Sequence, residues 1–286
     1  AASLDDVRAF FRTYYAPNNA VLSIVGDFDP DEARRWANQY FGPIPANPDI
    51  PPPPDGTVPA KIGAEYREVV PDRVPMSRFY FGFRAPPLGT PEFDAVAMAS
   101  VVLAEGKGSR LYSRLVRETQ LAQDVGLGPY EWVGGASLLL GWATAADEDE
   151  VEALEAAFTE TVDTLAADPP TPDEMARAWA TVEREELDAL QRVGERADRL
   201  SMYAALFDDP GMMNRRLPAL LDVTAERAAE AAGAILTADN RVVLRFVPSD
   251  RPAAETADAD ATSEGTAGAA SEGTTAEATD RGPQQS

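Results

Sequence analysis

Two segments of this chain, 221 positions apart, are written to one plan, and a repeated plan restricts the fold more than composition does. Ser3-Leu4-Asp5-Asp6 opens an apolar-periodic stretch that runs into Ala16-Pro17-Asn18-Asn19 and then Val21-Leu22-Ser23-Ile24-Val25. Thr224-Ala225-Glu226-Arg227 opens another, running into Ala238-Asp239-Asn240 and then Val242-Val243-Leu244-Arg245-Phe246-Val247. Laid over each other without a gap, Ser3 falls on Thr224, Asn18 on Asp239, Asn19 on Asn240 and Val21 on Val242. Each copy reads as helix, polar turn, buried strand. If such a unit closes a domain, the chain opens with the last piece of one domain and then holds a whole second one. The competing reading is a chance alignment of two helix-turn-strand pairs, because identities are few.

Charge narrows the partners. The net charge is −23, and the 37 residues from 250 on carry eight acids against two arginines, which leaves about −17 on the remainder. Such a field repels nucleic acid and anionic membrane and disfavours acidic substrates. Basic or neutral partners are compatible with it, as is a solvated acidic surface with no partner at all. No apolar run approaches the roughly 18 residues that span a bilayer. The amino terminus lacks a basic-then-apolar leader, which says nothing about export if the start is truncated.

Histidine and cysteine are both absent from the sequence. That excludes disulfides, a thiol nucleophile, a serine–histidine triad, a histidine acid/base and a zinc site with nitrogen or sulfur ligands. Carboxylates could still hold a hard cation, and Asp147-Glu148-Asp149-Glu150 is the densest cluster. Its position at a predicted helix start gives those acids a second use, against the helix dipole.

Along the chain, Asp29-Pro30 caps a helix to Phe41. A proline-rich stretch follows, with Pro48, Pro51-Pro52-Pro53-Pro54 and Pro59; it favours extended polyproline geometry and reads as a stiff linker. Residues 65–70 and 76–84 suit two strands. Thr90-Pro91-Glu92 caps a helix to about Ala104, and 109–118 is a second helical stretch. Residues 123–132 and 137–144 around Gly134-Gly135 read as a hairpin. Asp147 starts a further helix, and Thr171-Pro172-Asp173-Glu174 opens a long one towards Phe207. The order predicts an α+β fold, a mixed or antiparallel sheet with helices on one face. The predicted divisions are 1–45, the end of a first half; 46–60, the linker; 61–249, a complete second half; and 250–286, a disordered acidic tail.

Tyr14-Tyr15-Ala16-Pro17-Asn18-Asn19-Ala20-Val21 through Val25-Gly26-Asp27-Phe28-Asp29, then Tyr40-Phe41-Gly42-Pro43-Ile44-Pro45, resembles the segment ending the amino-terminal half of pitrilysin/insulinase-type zinc peptidases. Gly106-Lys107-Gly108-Ser109-Arg110-Leu111-Tyr112-Ser113-Arg114-Leu115-Val116-Arg117-Glu118, with Gln120-Leu121-Ala122, resembles a stretch of that family's carboxy-terminal half. The resemblance implies two related α+β halves facing each other across a chamber, with zinc held by a His-x-x-Glu-His helix and a distant Glu in the amino-terminal half. This chain has no such motif, so zinc is expected in the missing half or on a catalytic partner subunit. The implied ligand is a peptide or unfolded polypeptide. A periplasmic or exported location is favoured over a cytoplasmic one. A scaffold or core-type subunit that keeps the fold without the chemistry is the other reading.

The resemblance also implies substrate contacts from an Arg and a Tyr near the end of the 109–118 helix. Arg117 matches the Arg. The Tyr position falls on Gln123, in a spacing one residue short, and a glutamine amide can donate a hydrogen bond but lacks the acidity of a phenol. Tyr130 or Tyr112 could substitute in space. Arg110 and Arg114 join Arg117 as candidates, against a solvated helix face pairing with Glu118 and other acids. Gly106 and Gly108 suit either a close backbone approach to substrate or a helix-entry turn.

Overall fold

In the structure, a computed structural model, residues 2–249 are described. The predicted tail lies outside them. Strands β1 (Tyr66–Asp72) and β2 (Arg78–Ala85) occupy the two expected positions. Along β2, Phe79, Phe81, Phe83 and Ala85 are buried and the residues between them are half-buried, the period of two that lays one face of a sheet on a core. The hairpin β3 (Ala122–Tyr130) and β4 (Ser137–Ala145) turns through Gly134 and Gly135, both at positive φ. Strand β5 (Arg241–Pro248) completes a five-stranded sheet in the order β1-β5-β2-β4-β3. Only β1 and β5 run parallel, so the sheet is mixed, as expected.

Eight α-helices accompany it among the described residues: α1 (Leu4–Tyr14), α2 (Pro30–Phe41), α3 (Pro91–Ala104), α4 (Val151–Thr164), α5 (Pro172–Gln191), α6 (Val193–Phe207), α7 (Met212–Leu221) and α8 (Ala225–Ile235). Helices α3, α4 and α8 lie on one face of the sheet, and α5 and α7 pack over α3. That position explains why α3 is apolar nearly all round. Phe158 of α4 stacks on Phe81 of β2, ring centroids 4.0 Å apart. Thr90 accepts from the Phe93 amide, and Thr171 forms a capping box with Glu174, the starts that these residue patterns encode.

The structure corrects three expectations. The long helix from Thr171 is two helices, because Arg192 is extended (φ −86°, ψ 125°) beside the weak helix formers Val193 and Gly194. The bend folds α6 back against α5 and pairs Arg199 with Glu186. The 109–118 helix is mostly π-helical, over Tyr112–Glu118. The predicted strand at 21–25 has no ladder partner among the described residues and is not a strand.

The repeat itself is reproduced in detail. Helices α1 and α8, and the 3₁₀ turns Pro17–Asn19 and Ala238–Asn240, keep the offset of 221 at both ends. The N-caps Ser3 and Thr224 have φ, ψ of −87°, 166° and −86°, 165°; the C-caps Tyr15 and Leu236 have −97°, 60° and −85°, 52°. What differs is cover. Phe11, Tyr15 and Leu22 are 49%, 69% and 57% exposed, whereas their counterparts Ala232, Leu236 and Val243 are 2%, 2% and 3% exposed. Local sequence suffices for helix, caps and turn. The strand needs neighbours on both sides, which β1 and β2 give to β5.

Candidate functional site

Between Tyr112 and Gln123 the backbone is irregular in three ways. In the π segment the Thr119 amide bonds the Arg114 carbonyl, five residues back, at 3.0 Å. Gln120 follows in the left-handed region at φ 57°, an uncommon conformation for a residue with a β-carbon. Then β3 opens with a bulge: Ala122 faces Ala145 and Asp124 faces Thr144, so Gln123 is the extra residue. Bulges and π turns re-aim side chains, and left-handed backbone costs free energy of order 1 kcal/mol.

The candidate residues divide on this frame. Arg110 is held in a fork: Nε and Nη2 donate to the Glu174 carboxylate at 2.8 and 2.9 Å, and Nη1 donates to the Asp168 carbonyl at 2.8 Å. Glu174 is pushed down to about 2, first by the Arg110 hydrogen bonds and then, against the opposing effect of burial, by the Thr171 amide. Arg110 thus braces the start of α5. Arg114 pairs with Glu160 of α4 at 2.5 Å. Arg117 is exposed, with Nη2 donating to Ser113 Oγ at 3.1 Å and lying 3.9 Å from Glu118. The exposed Gln123 side chain makes no hydrogen bond among the described residues. The π segment, which carries Arg114 and Arg117, packs against β3, which carries Gln123. Tyr130 stands at the far end of β3, seven residues or roughly 23 Å along the strand from Gln123. Tyr112 is half-buried at the start of the π segment.

The face of the sheet opposite the helices was not anticipated as a site. Strand register places Tyr80, Leu138, Leu140, Trp142, Leu244 and Phe246 there, all half-buried. Trp142 lies over Gly126, where a β-carbon would fall 2.3 Å from Cζ2, so glycine is required for that approach. The signal in the sequence was Leu138-Leu139-Leu140-Gly141-Trp142, apolar on both faces, a pattern of strands covered on both sides.

No group of three or more acidic residues is arranged to hold a metal among the described residues. In the 147–150 cluster, Asp147 accepts from the Asp149 amide and Glu148 accepts from the amide and hydroxyl of Ser77. These acids start a helix and tie it to β2. No helix among the described residues is long and apolar enough to cross a membrane.

The profile of the family described as peptidase M16 inactive domain matches residues 1–182, more than half of the chain. The zinc protease PqqE of Helicobacter pylori is 30% identical over 122 residues, 42% of this chain and 27% of that protein. A protease structure from Helicobacter pylori superposes with a TM-score of 0.78 at 21% identity, covering 86% of this chain and 60% of that one. A peptidase M16 inactive domain from Pseudomonas fluorescens superposes with a TM-score of 0.75 at 17% identity, covering 88% and 59%. The chain therefore spans less than two thirds of the length of these relatives, and at such identities the two structures establish the shared fold.

Proposed function

We propose, since the chain belongs to the peptidase M16 inactive domain family, that it supplies the non-catalytic half of a two-half zinc peptidase and helps to hold extended peptide substrate. The observation that carries this reading is the uncovered repeat. The face that α8 and β5 bury against α3, β1 and β2 is displayed to solvent by α1 and residues 20–25, as fits the closing piece of a second half carried elsewhere. On this reading 1–45 completes that half, 46–60 links, and 61–249 is the inactive half. The catalytic half, or a catalytic partner subunit, holds the zinc, for which this chain offers neither imidazole nor thiolate. The open sheet face turns towards it, and a peptide lies between them, adding as a strand to a sheet edge. Arg117 and Gln123 are the substrate contacts, while Arg110 positions α5. We place the assembly in the periplasm or outside the cell.

A second reading, a scaffold subunit without chemistry, is favoured by Gln123 itself, which stands where the resemblance calls for a phenol.

The test pairs the chain with a half carrying His-x-x-Glu-His and compares Arg117→Ala with Arg110→Ala. Arg117→Ala is expected to lower peptide turnover some tens- to hundreds-fold, about 2–4 kcal/mol, with an unchanged melting temperature. Arg110→Ala is expected to melt earlier. Parental rates in both variants would remove this region from the substrate site. Stable assembly without turnover in the parental protein selects the scaffold.

A further inference from the structure

We propose that a cavity in the helical layer, between α3, α5, α6 and α7, binds an alkyl cation: the side chain of a lysine or arginine, or a small diamine. The cavity has a volume of about 370 Å³, within the roughly 300–1,000 Å³ of small-ligand sites. It lies beyond Leu127 of β3, on the side of the sheet away from the open face, so it stands independently of the peptide site proposed above.

The charge around it is unbalanced. Two guanidinium groups line it, and both are already neutralised, Arg199 by Glu186 and the buried Arg216 by Asp94. Glu105, Glu131 and Asp198 also line it, and the nearest cation to any of them is Arg216, 3.9 Å from Glu131. Burial, and the neighbouring Glu186, push the Glu131 carboxyl up, against the weaker pull of Arg199. Such a carboxylate gains from an arriving cation.

A second observation is independent of the acids. Tyr203 lines the same cavity and is 3% exposed, yet its hydroxyl has no hydrogen-bond partner among the described residues. The oxygen is not sealed in the core, so it is open to whatever fills the cavity. An ammonium or guanidinium N–H would supply the donor that this oxygen accepts. Met98, Leu127 and Met202 provide apolar wall for a three- or four-carbon stem, the arrangement that long basic side chains use.

The experiment titrates the full chain by calorimetry with cadaverine, with a capped pentapeptide holding one central arginine, and with the same peptide holding norleucine. Saturable binding of cadaverine or the arginine peptide, without norleucine binding, is expected. The cation that binds identifies the source, free amine or peptide. Glu131→Gln is expected to weaken binding about tenfold and Tyr203→Phe about threefold, at parental melting temperature. Asp198→Asn, on the exposed face of α6, serves if either of those variants melts early, and is expected to weaken binding about threefold. Equal binding of the norleucine peptide, unchanged affinity in folded Glu131→Gln and Asp198→Asn, or no binding of either cation would overturn the proposal.

Discussion

Asn19 and Asn240 hold the same place in the two copies of one turn, and only Asn240 bonds outward from it. Each Nδ2 donates to the carbonyl five residues back, Tyr14 at 2.9 Å and Ile235 at 2.8 Å. Asn240 also donates to the Arg84 carbonyl of β2 at 2.8 Å and is 1% exposed. Asn240→Ala orphans a buried carbonyl and is expected to cost about 2–3 kcal/mol in urea denaturation of the chain. Asn19→Ala, at an exposed turn, is expected to cost less than about 1 kcal/mol.

The same asymmetry extends to the helix faces. Ala232→Asp places an unpaired carboxylate in the core and is expected to unfold the chain at room temperature or lower its melting temperature by at least about 10 °C. Phe11→Asp, at the equivalent position in α1, is expected to leave the melting temperature within about 2 °C. On the proposed reading it should instead abolish association with a half that covers α1. Equal thermal damage by both changes would show that α1 already has its cover.

Glu174 makes stability depend on acid. Its carboxyl is lowered in the folded chain from 4.5 to about 2, so its contribution is complete above about pH 4.5 and is lost as the pH falls towards 2. The full shift corresponds to about 3 kcal/mol, and solvent screening of this partly exposed pair lowers the contribution to on the order of 2 kcal/mol. Glu174→Gln is expected to destabilise at pH 7 by about that much and to flatten this part of the acid limb, read as the denaturation midpoint against pH. A parallel limb in the variant would assign the acid sensitivity to other carboxylates.

Gly126 lies directly under the Trp142 ring on the open sheet face. Gly126→Ala drives a β-carbon into the Trp142 indole, within 2.6 Å of three ring atoms. A cost of about 1–3 kcal/mol is expected, with a change in tryptophan emission as the ring is displaced. An unchanged spectrum and midpoint would mean that the ring has room to slide.

Much of the fold was legible because its signals are local. Thr90, Thr171 and Thr224 announce helix starts, and Gly134-Gly135 announces a hairpin; each acts through bonds within a few residues. The repeat was legible for the same reason, down to the cap angles of Tyr15 and Leu236. Residues 21–25 read as a strand in sequence but are not one, because a strand is a property of its neighbours and no described strand pairs with them. The break at Arg192 has no proline to mark it, and the π register of 112–118 has no composition of its own. The candidate site was legible at Arg117 and Gln123 as a resemblance. The bulge that carries Gln123, set by pairs 23 and 20 residues apart, and the fork that commits Arg110 to Glu174, 64 residues away, depend on distant partners.

The bend at Arg192 has a consequence for the acidic cavity. Glu186 and Arg199 are 13 residues apart, and on an unbroken helix they would stand roughly 20 Å from each other. Their contact, and the return of Asp198, Met202 and Tyr203 towards α3, exist only because one ψ angle leaves the helical range. The cavity wall is therefore a fold-back of a single ribbon, and a residue that straightened position 192 would erase the cavity without touching a side chain that lines it.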